Sequence, residues 1–111
     1  MNRLKVNILG TDYEIKNVTE AEYPKLKSLN ASGLAELYSK ELIIDRKMDD
    51  GSGRAFANFK EFEKKVLRHE IVHAFFHESG LIDYENDEVL TDWMALQFSK
   101  ILKAFQSVNA L

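Results

Sequence analysis

From Ala55 to Ser79 apolar residues fall at Phe59, Phe62 and Val66 and then thicken to Leu67, Ile71, Val72, Phe75 and Phe76. That spacing predicts one long helix whose second half is apolar on nearly every side and therefore buried. A chain of 111 residues, 45% hydrophobic, buries roughly two thirds of its unfolded surface, enough for one core and one domain. Ser79-Gly80-Leu81 reads as the helix stop, with Gly80 able to take the left-handed conformation and Leu81 placed to pack back on the last turn. After a loop of about seven residues, Asn86 or Asp87 caps a final helix running to about Phe105. Its apolar stripe is Leu90, Met94, Phe98, Ile101 or Leu102, and Phe105.

The first half has a different period. Leu4, Val6 and Ile8 alternate with Arg3, Lys5 and Asn7, and after Gly10-Thr11-Asp12 the alternation resumes at Tyr13, Ile15 and Lys16, which predicts a hairpin. Thr19 with Glu22 forms a capping-box pattern, and Pro24 restricts residues 19–29 to one short or broken helix that ends at Asn30 to Gly33. Leu34 to Tyr38 and Leu42 to Asp45 are strand-like runs around Ser39-Lys40-Glu41, a second hairpin. Arg46 to Arg54 is a polar, glycine-containing loop. The fold class expected is α+β.

The absence of cysteine excludes a disulfide scaffold, a thiol nucleophile and every cysteine-based metal site, so a metal would need histidine and carboxylate ligands. A formal charge of -3 argues against a nucleic-acid partner. The lysines at 60, 64, 65, 100 and 103 are spread along two helices and read as solvated faces. No run approaches the ~20 apolar residues of a membrane span, and the alternating start does not read as a signal peptide. The expectation is a cytoplasmic protein with no membrane partner.

Within the long helix stands His69-Glu70-Ile71-Val72-His73, an H-E-x-x-H motif. Two imidazoles one turn apart share a face and can point at one metal ion, while Glu70, offset by ~100°, can hold a metal-activated water without ligating the metal. Zinc would lower the pKa of that water and polarise a carbonyl, and Glu70 would act as general base. Shuffling the composition produces the pattern in roughly one copy in a hundred, so spacing alone leaves ordinary helix histidines as a competing reading. Two of the chain's three histidines at this spacing in an apolar helix weigh against it, because such polar groups need partners.

Catalytic zinc usually takes three protein ligands and keeps one position open. His77, Asp83, Glu85, Asp87, Glu88 and Asp92 are the candidates for the third. His77 stands ~12 Å along the axis from His69 and cannot share an ion with both histidines. Glu88 is favoured because it opens the last helix, which about seven loop residues can return to the site, and Asp92, one turn further on the same face, remains an alternative ligand. Ala95 and Ser99 continue that face with small side chains that would permit close helix approach.

These residues resemble the zincin metallopeptidases. Glu88-Val89-Leu90-Thr91-Asp92 is similar to the gluzincin pattern of a ligand Glu followed four residues later by an Asp. Among small members the chain is most similar to ImmA/IrrE-type and phage-encoded H-E-x-x-H metallopeptidases, through the motif, the following carboxylate and Asp92-Trp93-Met94-Ala95, a match over about Val66 to Ile101. The resemblance implies that His69, His73 and Glu88 bind Zn2+, that Glu70 is the base, and that Asp92 orients a ligand imidazole. It also implies a minimal zincin-like fold, with a small twisted sheet on the H-E-x-x-H helix and the C-terminal helix completing the site. A sheet edge near the metal, Leu42 to Asp45 or Leu34 to Tyr38, would pair with an extended peptide.

Weaker signals complete the reading. Asp49-Asp50-Gly51-Ser52-Gly53 suggests a calcium loop but puts Arg46 and Ala57 where carboxylates are required, so a surface loop is expected. Tyr84, His77 and Tyr38 are candidate oxyanion donors. Trp93 is expected to be a core anchor behind the metal site. Two functions compete: a zinc-dependent peptidase acting on a protein or peptide, such as a regulator, and a non-catalytic interaction protein of the same fold that binds a partner such as a repressor.

Overall fold

The computed structural model describes residues 4–46 and 59–111. Strands β1 (Leu4–Ile8) and β2 (Thr11–Val18) form the first hairpin, with Val6 opposite Tyr13 and Ile8 opposite Thr11. Its turn is Leu9-Gly10, one residue earlier than the alternation suggested. Both residues have positive φ, 50° and 95°, the conformation that matches the twist of a two-residue hairpin. The capping box at Thr19 forms both of its hydrogen bonds: the Thr19 amide donates to Glu22 Oε1 and the Glu22 amide to Thr19 Oγ1. Only a turn follows there, because Pro24 restarts the chain as the four-residue helix α1 (Lys25–Ser28), whose Leu26 is fully buried.

Strands β3 (Gly33–Glu36) and β4 (Glu41–Asp45) form the second hairpin. The two hairpins join through a parallel pairing of β2 with β4, giving a four-stranded mixed sheet of order β1-β2-β4-β3. Leu42, Ile43 and Ile44 are consecutive and all buried, so both faces of β4 are covered, as an inner strand requires. The edge strands are β1 and β3. Leu42 to Asp45 lies inside the sheet and is excluded as a peptide-pairing edge.

Helix α2 (Phe59–Glu78) crosses one face of the sheet, where Ile8, Tyr13, Leu42 and Ala74 form the buried centre of the core. The expected stop is present: Gly80 has φ 83°, the Leu81 amide donates to Phe76 O at 3.0 Å and the Gly80 amide to His77 O at 3.2 Å, the paired bonds of a Schellman motif. A 3-10 turn (Ile82–Tyr84) leads to α3 (Glu88–Ser107), capped by Asp87, whose side chain accepts from the Leu90 amide; Asn86 does not cap it.

Several burial expectations are overturned. Helix α2 is not enclosed on all sides, since Phe75 is 42% exposed and Ile71, Val72 and Phe76 are only partly covered. One sheet face and one neighbouring helix leave part of its circumference open. Trp93 is 51% exposed and anchors no core; the buried residue of α3 is Thr91. Phe98 and Phe105, assigned to the apolar stripe, are also about half exposed, and Ser99 is exposed. The five lysines are exposed as expected. The segment read as a calcium-like loop lies, beyond Arg46, outside the described residues. No helix among the described residues is long and apolar enough to cross a membrane.

Candidate metal centre

A cleft of about 740 Å³ runs between β3 and α3 with α2 as its floor. The floor presents Phe62, Val66, His69 and His73 along one helix face, the recurrence that i, i+3, i+4 spacing dictates. Gly33, Leu34 and Ala35 form one wall, and Glu88, Asp92 and Ala95 the other.

His69, Glu70 and His73 each place a ligand-type atom within 4.8 Å of the others, a group that could hold a metal ion. His69 Nε2 and His73 Nε2 are 3.1 Å apart, and the Glu88 carboxylate reaches both, Oε2 at 2.8 Å from His69 and Oε1 at 3.0 Å from His73. Asp92 Oδ1 lies 2.7 Å from His69 Nδ1, on the far side of that ring. Asp92 therefore meets the nitrogen that faces away from the convergence point, whereas Glu88 meets the nitrogens that face it. The Glu88 and Asp92 side chains are largely open to solvent while His73 is nearly buried, so the convergence point is accessible from the α3 side.

A contact that sequence spacing did not disclose completes the set: His73 Nδ1 donates to the backbone carbonyl of Glu85 at 2.5 Å. A carbonyl can only accept, so His73 carries its proton on Nδ1, and Asp92 demands the same of His69. When both rings are neutral, their two Nε2 lone pairs and the Glu88 carboxylate meet within 3.1 Å of one another; when His69 is protonated, its Nε2 donates to Glu88 instead. The neutral form offers a donor set that could hold a metal ion.

Glu70 occupies the next position around the helix and is 6% exposed. Burial pushes its carboxyl up to about 7; the His69 ring works against that, and the Glu88 and Asp92 carboxylates add to it. The edge strand comes close because residue 33 is glycine. A Cβ there would stand 2.5 Å from Val66 Cγ1 and 3.0 Å from both Glu70 Oε2 and Ile43 O.

The candidate oxyanion donors are not brought to the cleft. His77 Nδ1 donates to Glu85 Oε2 at 2.8 Å, Tyr84 packs against Phe76, and Tyr38, 91% exposed, stands edge-on to His77. Of the other ligand candidates, Asp87 is engaged as the α3 cap, and Asp83 is exposed and does not line the cleft. Compared with protein-family models, curated proteins and solved structures, the chain matches none.

Proposed function

We propose that this protein is a zinc-dependent peptidase of the zincin type. The observation that carries the reading is the convergence of two imidazole Nε2 atoms and the Glu88 carboxylate beside a buried glutamate. The donor set suits the ion: two neutral imidazoles and one carboxylate are ligands that zinc takes in catalytic sites, and the open side leaves room for a fourth. Zinc bound there would supply Lewis acidity, polarising a peptide carbonyl and lowering the pKa of a water molecule.

The chain's own residues do the rest. Asp92 and the Glu85 carbonyl hold the two rings in the tautomer that turns Nε2 inward. Glu70 takes a proton from the attacking water on its carboxylate and delivers it to the leaving amine nitrogen, a role suited to a carboxyl raised toward neutral pH. The outer edge of β3 borders the cleft, so an extended peptide can add to the sheet there through main-chain hydrogen bonds. The substrate class is accordingly a protein or peptide in extended conformation, as in a mobile segment of a regulator.

Metal content by mass spectrometry, on wild type beside Glu88→Ala and Asp92→Ala, tests the site. Near one zinc per wild-type chain is expected, lost in Glu88→Ala and largely kept in Asp92→Ala. No zinc after an excess is offered would overturn the proposal. Glu70→Gln is expected to keep its zinc and lose cleavage of a peptide library by about 10²- to 10⁴-fold. Stoichiometric binding of a partner that is never cleaved by the zinc-loaded wild type would instead support the interaction-protein reading.

A further inference from the structure

His77 lies one turn beyond His73, too far along α2 to reach the convergence point, yet it is mostly buried and held through its Nδ1. Its Nδ1 donates to Glu85 Oε2 at 2.8 Å, and the two side chains are 17% and 14% exposed. Glu85 faces two ways. Its side chain is held by His77, while its backbone carbonyl accepts the Nδ1 proton of His73 at 2.5 Å. It is also the last residue of the 3-10 turn's hydrogen-bonded cap, its amide donating to Ile82 O, and Glu88 follows three residues later at the start of α3.

A loop carbonyl orients a ring only as well as the loop itself is held. The backbone bonds of the 3-10 turn are local and do not tie it to α2, whereas the His77–Glu85 bond does.

We infer that His77 is a positioning residue of the metal centre, clamping Glu85 so that one loop residue fixes the tautomer of His73 and the point from which α3 delivers Glu88. The inference rests on the metal reading above. The clamp's contribution is preorganisation: without it the Glu85 carbonyl drifts, the His73 proton is no longer confined to Nδ1, and zinc must order the loop when it binds. Loss of a hydrogen bond supporting a ligand histidine costs about ten- to a hundredfold in metal affinity.

The test is a zinc titration of the apoprotein in competition with a chromophoric chelator, on wild type, His77→Ala, Glu85→Ala, Glu85→Gln and Lys40→Met. His77→Ala and Glu85→Ala are expected to bind zinc about ten- to a hundredfold more weakly. Glu85→Gln, which keeps an acceptor for His77 and the same backbone carbonyl, is expected to stay close to wild type. Lys40→Met breaks the ion pair with Glu78 at the same end of α2 and serves as the stability control, lowering Tm with affinity unchanged. Long-range nitrogen NMR on the apoprotein supplies a readout independent of zinc: His73 is expected as the Nδ1–H tautomer in wild type and as a mixture in His77→Ala. Wild-type affinity in His77→Ala, or equal affinities in Glu85→Ala and Glu85→Gln, would overturn the clamp. A wild type that binds no zinc overturns the metal reading instead. If His77→Ala does not fold, the Glu85 pair decides the question.

Discussion

Gly33 shows how one missing side chain sets the spacing of the site. The edge strand rests on α2 where Val66 and Glu70 come up, and a Cβ at 2.5 Å from Val66 Cγ1 has no room. Gly33→Ala is therefore expected to shift β3 or push Val66 aside, costing about 1–3 kcal/mol. Chemical denaturation measures that cost, and cleavage by the zinc-loaded variant is expected to fall with it because the Glu70 carboxylate is 3.0 Å from the same point. Glu70 itself trades stability for chemistry. Its folded-state pKa, about 7, lies above the ordinary 4.5, so the metal-free fold binds a proton that the unfolded chain has released. The stability this confers is present in full below about pH 4.5 and is lost as pH rises through about 7. Glu70→Gln removes the buried charge, and the metal-free variant is expected to melt roughly 2–5 °C higher than wild type at neutral pH by calorimetry.

Helix α3 illustrates what periodicity can and cannot tell. Its start was readable because an Asp before a helical run caps amides in any context, and the side-chain bond to the Leu90 amide is local. Its stripe was only partly readable. Leu90, Met94, Ile101 and Leu102 are partly buried, but Phe98 and Phe105 stay half exposed because no other described element covers them. The residue of α3 that is fully buried is Thr91, whose Oγ1 has no hydrogen-bond partner. An unsatisfied buried hydroxyl costs free energy that an isosteric methyl does not, so Thr91→Val is expected to stabilise the fold by about 1 kcal/mol, read from the urea midpoint at constant m. The same change sits one residue from Asp92 and is expected to leave zinc affinity intact.

At the scale of the whole molecule, the sheet and α2 are tied by a polar cluster that neither half discloses alone. Glu78, the last residue of α2, accepts from Lys40 Nζ at 2.8 Å, from the Tyr13 hydroxyl at 2.5 Å and from Thr11 Oγ1 at 3.0 Å. These bonds, the Lys40 one foremost, hold its carboxyl down at about 2, and burial together with Glu78 pushes the Tyr13 phenol up. As pH falls the unfolded chain takes up this proton first, near 4.5, so the cluster's contribution is complete above that pH and vanishes as pH falls to about 2. Thermal melts from pH 6 to pH 2 are expected to fall more steeply for wild type than for Glu78→Gln, and parallel curves would remove Glu78 from the acid transition.

What the chain determines by itself is what local physics determines. The H-E-x-x-H spacing puts two imidazoles on one helical face, Gly80 terminates α2 because a left-handed residue costs it nothing, and alternation marks the first two strands while a short apolar run marks β4. Tertiary structure decided the remainder. The parallel join of β2 to β4 depends on two segments more than twenty residues apart, and nothing in either pattern encodes it. That join leaves β3 at an edge of the sheet, the edge that borders the cleft. The distinction between Glu88 and Asp92 turns on which imidazole nitrogen each one meets, a difference of one helical turn in how α3 lies on α2. The parts played by the Glu85 carbonyl and by His77 are backbone and loop facts. A backbone carbonyl carries no sequence signature, because every residue has one, and only the packed chain selects the one that meets His73.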